Sequence, residues 1–186
     1  MSLYKNGEEK INSKKIFFER LIPFSLTAFV ILVDQITKTI IVKNWPAIGT
    51  VIADVFGNDI LCIYHVRNKV IAFSLGTTLP DFLRPIVFIA LPLLVLLFLC
   101  VYYWRSSDFT RLQRWAVTGI IGGGLGNLFD RIFRPDGVVD FISVKFFGLF
   151  GFERWPTFNI ADSSVVICVF LWFISIFITP KKQNEV

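Results

Sequence analysis

The chain has 186 residues, 54% of them hydrophobic and 16% aromatic, with 21 Phe and a mean hydropathy of +0.64. Such a balance excludes an ordinary soluble domain and fits a small polytopic membrane protein built as one helical unit. The formal net charge is +5, but no basic stripe interleaved with aromatics accompanies it, which argues against a nucleic-acid partner.

Residues 1–20 are polar and basic, with Lys5, Lys10, Lys14, Lys15 and Arg20. They read as a cytoplasmic tail. The apolar run 21–42 follows. It is long enough to cross a bilayer, and no small-x-small cleavage site follows it, so a membrane helix is expected rather than a cleaved signal peptide. Pro23 is tolerated in its first turn.

Residues 44–82 mix β-branched and aromatic residues with Gly and Asp. Two short strands, 51–56 and 60–66, are expected around a Gly57-Asn58-Asp59 turn, forming a small extracytoplasmic cradle. Further membrane helices are expected over 83–104, 115–133 and 159–179. The one at 115–133 is the weakest by hydropathy, because Asn127, Asp130 and Arg131 fall near its end. Between it and the last helix, residues 134–158 hold a Pro135-Asp136-Gly137 turn and the aromatic run 146–152, read as an interfacial loop or half-helix. The expected architecture is thus an all-α membrane protein. It forms a single domain over 1–186, with four transmembrane helices and a small extracytoplasmic β-sheet.

Ten of the 19 Lys and Arg residues lie in residues 1–20, 105–114 and 180–186. These segments are short, so their basic density is high, and the positive-inside rule places both termini in the cytoplasm.

Charged and amide side chains are costly at these positions and mark function when they occur. In the first helix Asp34 and Lys38 are four apart and share a face, which suits an internal ion pair, a support for an active site, or both. In the third, Gly119/Gly123 and Gly122/Gly126 are small-xxx-small pairs that allow close helix approach. Steps of four from Gly119 and Gly123 lead to Asn127 and Arg131, with Asp130 on the neighbouring line. Asp130 and Arg131 suit either a helix end at the interface or a substrate role.

Asp140 sits between apolar neighbours, Val139 and Phe141, where desolvation raises a carboxyl pKa. Asn159 is an expected N-cap, and Asp162, three residues on, suits either a capping acid or a catalytic one. If Asp140 and Asp162 meet, they form an acid/base pair able to activate water without a metal or a nucleophilic side chain. His65 is the only histidine and stands near no nucleophile motif. Cys62, Cys100 and Cys168 show no ligand or disulfide spacing.

Five boxes then stand in order: Asp34-Gln35-x-Thr37-Lys38; Asn68 with Ala72-Phe73; Gly122-Gly123-x-x-Gly126-Asn127-x-x-Asp130-Arg131; Gly137-x-Val139-Asp140-Phe141; and Phe158-Asn159-x-Ala161-Asp162. Together they resemble the bacterial lipoprotein signal peptidases, the signal peptidase II family, over residues 34–167. The resemblance implies an intramembrane aspartic endopeptidase of the bacterial cytoplasmic (inner) membrane, acting near its extracytoplasmic face and needing no cofactor or metal. Asp140 and Asp162 match the catalytic pair. Asn68, Asn127 and Arg131 match residues that hold the substrate backbone, and Asp34, Lys38, Gly126, Asp130, Asn159 and Ala161 match the supporting shell. The implied partners are a diacylglyceryl-modified prolipoprotein, cut just before its lipidated cysteine, membrane lipid, and globomycin-type inhibitors, with the enzyme a monomer. The second box departs from the family's usual Asn-x-Gly-Ala-Ala-Phe, since Val70 and Ile71 replace small residues. A proton- or cation-coupled transporter is the main rival, because paired intramembrane acids suit it too. It leaves unexplained a polar cluster confined to one end of the bundle.

Overall fold

The computed structural model describes residues 14–69 and 79–178. Val70 and Ile71, with Ala72-Phe73 of the same box, the first 13 residues and Thr179 onward lie outside the described residues. Four helices surround one another: α1 (Phe24–Asn44), α2 (Leu91–Arg105), α3 (Arg111–Phe133) and α4 (Ile160–Ile178). A helical lead-in makes the first span continuous over Lys14–Asn44, and a π-helical turn over Ile86–Ala90 precedes α2. Three of these spans, Lys14–Asn44, Ile86–Arg105 and Ile160–Ile178, are long and apolar enough to cross a membrane. At 23 residues α3 has the length, but its polar residues keep it out of that group.

The helices are largely inside-out relative to a soluble bundle. The buried face of α1 is Thr27, Val30, Asp34, Lys38 and Ile41, a 3–4 spacing whose members include a carboxylate and an ammonium. Its outer face exposes Phe29, Leu32, Ile36 and Ile40. Apolar side chains facing outward and charges facing inward are what a lipid surround selects.

Two glycine stripes on α3 seat two different helices. Gly119 and Gly123 face α4, where a Cβ at Gly123 would run into the Ala161 carbonyl oxygen. Gly122 and Gly126 face α1, where a Cβ would come within 3.0 Å of the Thr27 backbone and 2.9 Å of the Asp34 carboxylate, respectively. The close helix approach expected from the small-residue spacing therefore serves two neighbours at once.

The hairpin expected over residues 51–66 forms as β1 (Val51–Asp54) and β2 (Leu61–Asn68). The segment expected as a loop or half-helix supplies a third strand, β3 (Val138–Val144), and the sheet is antiparallel in the order β1-β2-β3. The segment's helical content is limited to a distorted 3-10 turn, Leu149–Gly151, in which Phe150 takes φ +53°. The physical reason is its composition. Val138, Val139, Phe141, Ile142 and Val144 are β-branched or aromatic, and β2 offers them a free edge. Ile41, Val139 and Phe141 form the cluster that seats the sheet on the end of α1.

Beyond β3 the chain turns back so that Phe158 bridges Ile142, its carbonyl accepting from the Phe141 and Ile142 N–H groups at 3.0 and 2.8 Å. This bridge delivers the start of α4 beside the middle of β3.

Candidate active site

Asp140 projects from β3 and is 2% exposed. Gly137, at φ +96°, turns the chain into the strand with its Cα packed against the Asn68 backbone, a place no side chain fits. In register, Val66 opposes Asp140 and Asn68 opposes Val138. Asn68 Nδ2 donates to Asp140 Oδ2 at 3.0 Å, and Asn159 Nδ2 donates to Asp140 Oδ1 at 2.7 Å. Burial, followed by the nearby Asp162 charge, pushes the Asp140 carboxyl up to about 7.

Asp162 lies in the first turn of α4. Its backbone N–H donates to Asn159 Oδ1 at 2.9 Å, while its own Oδ2 accepts from the Asn159 N–H at 3.1 Å. This is the reciprocal capping arrangement, with Asp at the third helical position. Its Oδ1 remains available and accepts from Asn127 Nδ2 at 2.6 Å. The capping reading of Asp162 holds, and the cap directs its other oxygen toward Asn127.

Asn127 and Asn159 connect the two acids. Asn159 Nδ2 donates to Asn127 Oδ1 at 3.0 Å, which gives an unbroken chain Asp140–Asn159–Asn127–Asp162. The same Asn127 oxygen accepts from Lys38 Nζ at 3.0 Å.

Beneath this chain lies a buried ionic group. Lys38 Nζ stands 2.8 Å from Asp34 Oδ2 and 3.1 Å from Asp130 Oδ2, and all three side chains are fully buried. With Asn127, the ammonium has three acceptors for its three protons. Asp34 Oδ1 accepts from the Ala161 N–H at 3.0 Å, and Asp130 Oδ2 from the Val139 N–H at 3.1 Å. One cluster therefore pins α1, α3, β3 and α4 at a single level. Gly126 allows Asp34 its approach, and Ala161 is fully buried behind it.

Arg131 is half-buried, one turn beyond Asn127. Its Nη1 donates to the Phe88 carbonyl at 3.4 Å, linking α3 to the π-helical turn before α2. An apolar hollow of about 430 Å³ opens beside Asp162, walled by Val144, Phe146, Trp155, Phe158 and Val166.

Two contributors have no role in the sequence reading. Gln35 Nε2 lies 3.0–3.1 Å from Asp34 Oδ2, the Gly126 carbonyl and Asp130 Oδ1. Arg134 pairs with Asp130 at 3.1 Å and donates to Gln35 Oε1 at 3.2 Å. Gln35 adjoins Asp34 in the first box, and Arg134 is four residues from Asp130, so an i,i+4 search from each acid finds the second of them. His65 is a buried strand residue of β2 whose Nδ1 lies 2.6 Å from the Trp45 carbonyl.

The model of the family described as signal peptidase (SPase) II matches residues 26–178. A lipoprotein signal peptidase of Treponema denticola is 45% identical over 175 residues, covering 94% of this chain and 98% of that protein. The Treponema pallidum lipoprotein signal peptidase is 46% identical over 165 residues, covering 89% of this chain and 87% of that protein. A solved bacterial membrane enzyme is similar across 89% of this chain and 94% of its own, with a TM-score of 0.71 at 29% identity.

Proposed function

From the chain's membership of the signal peptidase II family, we propose that it removes signal peptides from diacylglyceryl-modified prolipoproteins, using Asp140 and Asp162 as a water-activating pair. The observation that carries this reading is the amide chain from Asp140 through Asn159 and Asn127 to Asp162, held by a fully buried Lys38. Two acids from separate elements stand at the two ends of one hydrogen-bonded amide chain, in environments that differ.

In this proposal Asp140, desolvated and raised to about 7, carries the proton. Asp162, whose oxygens face N–H donors, acts as base. A water between them loses a proton to Asp162 and attacks the scissile carbonyl, while Asp140 protonates the carbonyl oxygen. The tetrahedral adduct collapses by breaking the C–N bond. The proton on Asp162 passes to the departing amine, and Asp140 recovers its own. Asn68, Asn127 and Arg131 hold the substrate backbone, exchanging some of their present partners for it. The apolar hollow beside Asp162 receives a lipid chain of the modified cysteine.

All four helices span the bacterial cytoplasmic membrane, α3 being shielded from lipid by the neighbours its glycines admit. Both termini are cytoplasmic and the aspartates stand near the extracytoplasmic face. That places them at the depth where acyl chains hold a lipidated cysteine.

The test is a gel-shift assay with the purified chain and a diacylglyceryl-modified precursor, run with and without globomycin. Cleavage is expected for the native chain and absent for Asp140→Asn and Asp162→Asn, both still folded. Full activity in either variant sinks the pair mechanism. Across pH, kcat/KM is expected to fall on the alkaline side near 7, as Asp140 loses its proton; a flat profile through that region contradicts the assignment.

A further inference from the structure

A second site lies at the other end of the bundle. Between the lead-in to α1 and the α2–α3 connection there is a cavity of about 620 Å³. Arg20, Arg111 and Arg114 line it, with Glu19, Phe109 and Trp115. Arg20 and Arg114 are held in place from behind. Arg20 Nη1 donates to the Trp104 carbonyl at 2.5 Å, the Tyr103 hydroxyl donates to the Arg20 carbonyl at 2.6 Å, and the Arg114 guanidinium lies 5.6 Å from the Tyr103 ring centroid.

Their positive charges are not cancelled by carboxylates within the protein: none of the three arginines pairs with one among the described residues, although Glu19 shares the wall. Arg20 Nε and Arg114 Nη1 are buried N–H groups without a protein acceptor. With three guanidinium groups against the single carboxylate of Glu19, the cavity wall is net positive and suits an anion. The cavity also adjoins the N-terminus of α3, whose dipole favours an anion.

We propose that this cavity binds the headgroup phosphate of an anionic phospholipid. A free phosphate ion would need only the guanidinium groups. The wall is half apolar, with Phe109, Trp115 and the exposed Ile22 of the lead-in, which suits the glycerol and upper acyl chain of a lipid. Basic hollows between helix ends are where such headgroups dock. Arg20 is 14 residues from Asp34 on a near-continuous helix, about 20 Å at 1.5 Å per residue, so the site is separate from the aspartates. It requires that the helices span a membrane and is independent of the peptidase reading.

Native mass spectrometry of the full chain, delipidated in detergent, tests this with phosphatidylglycerol, phosphatidylcholine and glycerophosphate as probes. The expected result is preferential retention of phosphatidylglycerol, weakened about fivefold for each guanidinium removed. Arg111→Gln, exposed and without an internal contact, reads the charge effect without risk to folding. Arg20→Gln/Arg114→Gln should bring retention close to that of phosphatidylcholine, and Arg20→Lys/Arg114→Lys should restore part of it. Asp140→Asn should bind as the native chain does, which separates failure here from failure of the peptidase proposal. Equal retention of the two lipids, or a preference untouched in Arg111→Gln and the double glutamine variant, overturns the site. Glycerophosphate binding as tightly as the lipid overturns the lipid assignment in favour of a free phosphate.

Discussion

Lys38 is held by three acceptors in the site. Its ammonium is fully buried between Asp34 and Asp130, and removing one member of such a group leaves an uncompensated charge in a dry place. Lys38→Met should therefore lower stability by about 3–5 kcal/mol. Adding Asp34→Asn should recover part of the loss, because it removes one of the two carboxylates left facing each other. Denaturant or thermal melts in detergent read both. Asp140 acts on stability in another way. Its carboxyl is raised from 3.8 to about 7 in the folded protein, so between those values the native state holds a proton that the unfolded chain has released. The contribution is full below about 4 and is lost as pH rises through about 7. Native Tm should fall across this window. Asp140→Asn should flatten that fall, whatever its effect on Tm at any one pH.

At the scale of elements, α3 is the post on which the others are hung, and its glycines set how close they come. Gly123→Ala would drive a methyl into the Ala161 backbone carbonyl. Backbone cannot swing aside, so α4 must shift and carry Asp162 away from Asn127. The expected outcome is loss of cleavage in the gel-shift assay with a lowered Tm. The helices were legible in the sequence, because each apolar run carries its own length. So were Asp34 with Lys38 and Asn159 with Asp162, since four-residue and capping spacings are local. What was not legible depends on distant partners. The bonds of Gln35 reach Gly126 and Asp130, 91 and 95 residues away. The strand over 138–144 exists because β2, some 70 positions earlier, offers an edge to it. Its alternation alone was too short to outweigh the adjoining turn. The hydropathy of α3 also under-reports its surroundings. A helix that gives its polar face to three neighbours need not be apolar all round.

For the molecule as a whole, the sheet is anchored to the bundle at one side and latched at the other. Phe158 ties β3 to the start of α4. At the far side, Arg154 donates to the Asp59 carbonyl and carboxylate at 2.9 and 2.8 Å and to the Ser143 hydroxyl and carbonyl at 2.8 and 3.1 Å, with Lys145 3.4 Å from the same carboxylate. The latch joins the β1–β2 turn to the stretch after β3, well outside the amide chain. Arg154→Gln should therefore raise KM for a lipidated precursor while leaving kcat near native, with little change in Tm because the carboxylate is exposed to solvent. Steady-state kinetics separate this from damage to the proposed aspartate pair, for which a lower kcat is expected.

The spacing of Asp34 and Lys38 also bears on how the chain is made. Asp130 and the Ala161 N–H lie 96 and 127 residues beyond Asp34, so at about 5–20 residues per second they leave the ribosome many seconds later. During that interval Asp34 and Lys38 are without their partners from α3 and α4. The four-residue step lets them neutralise each other within a single helix. This local pair is thus the part of the cluster needed first, and it lets the first helix enter the bilayer before the rest of the protein exists.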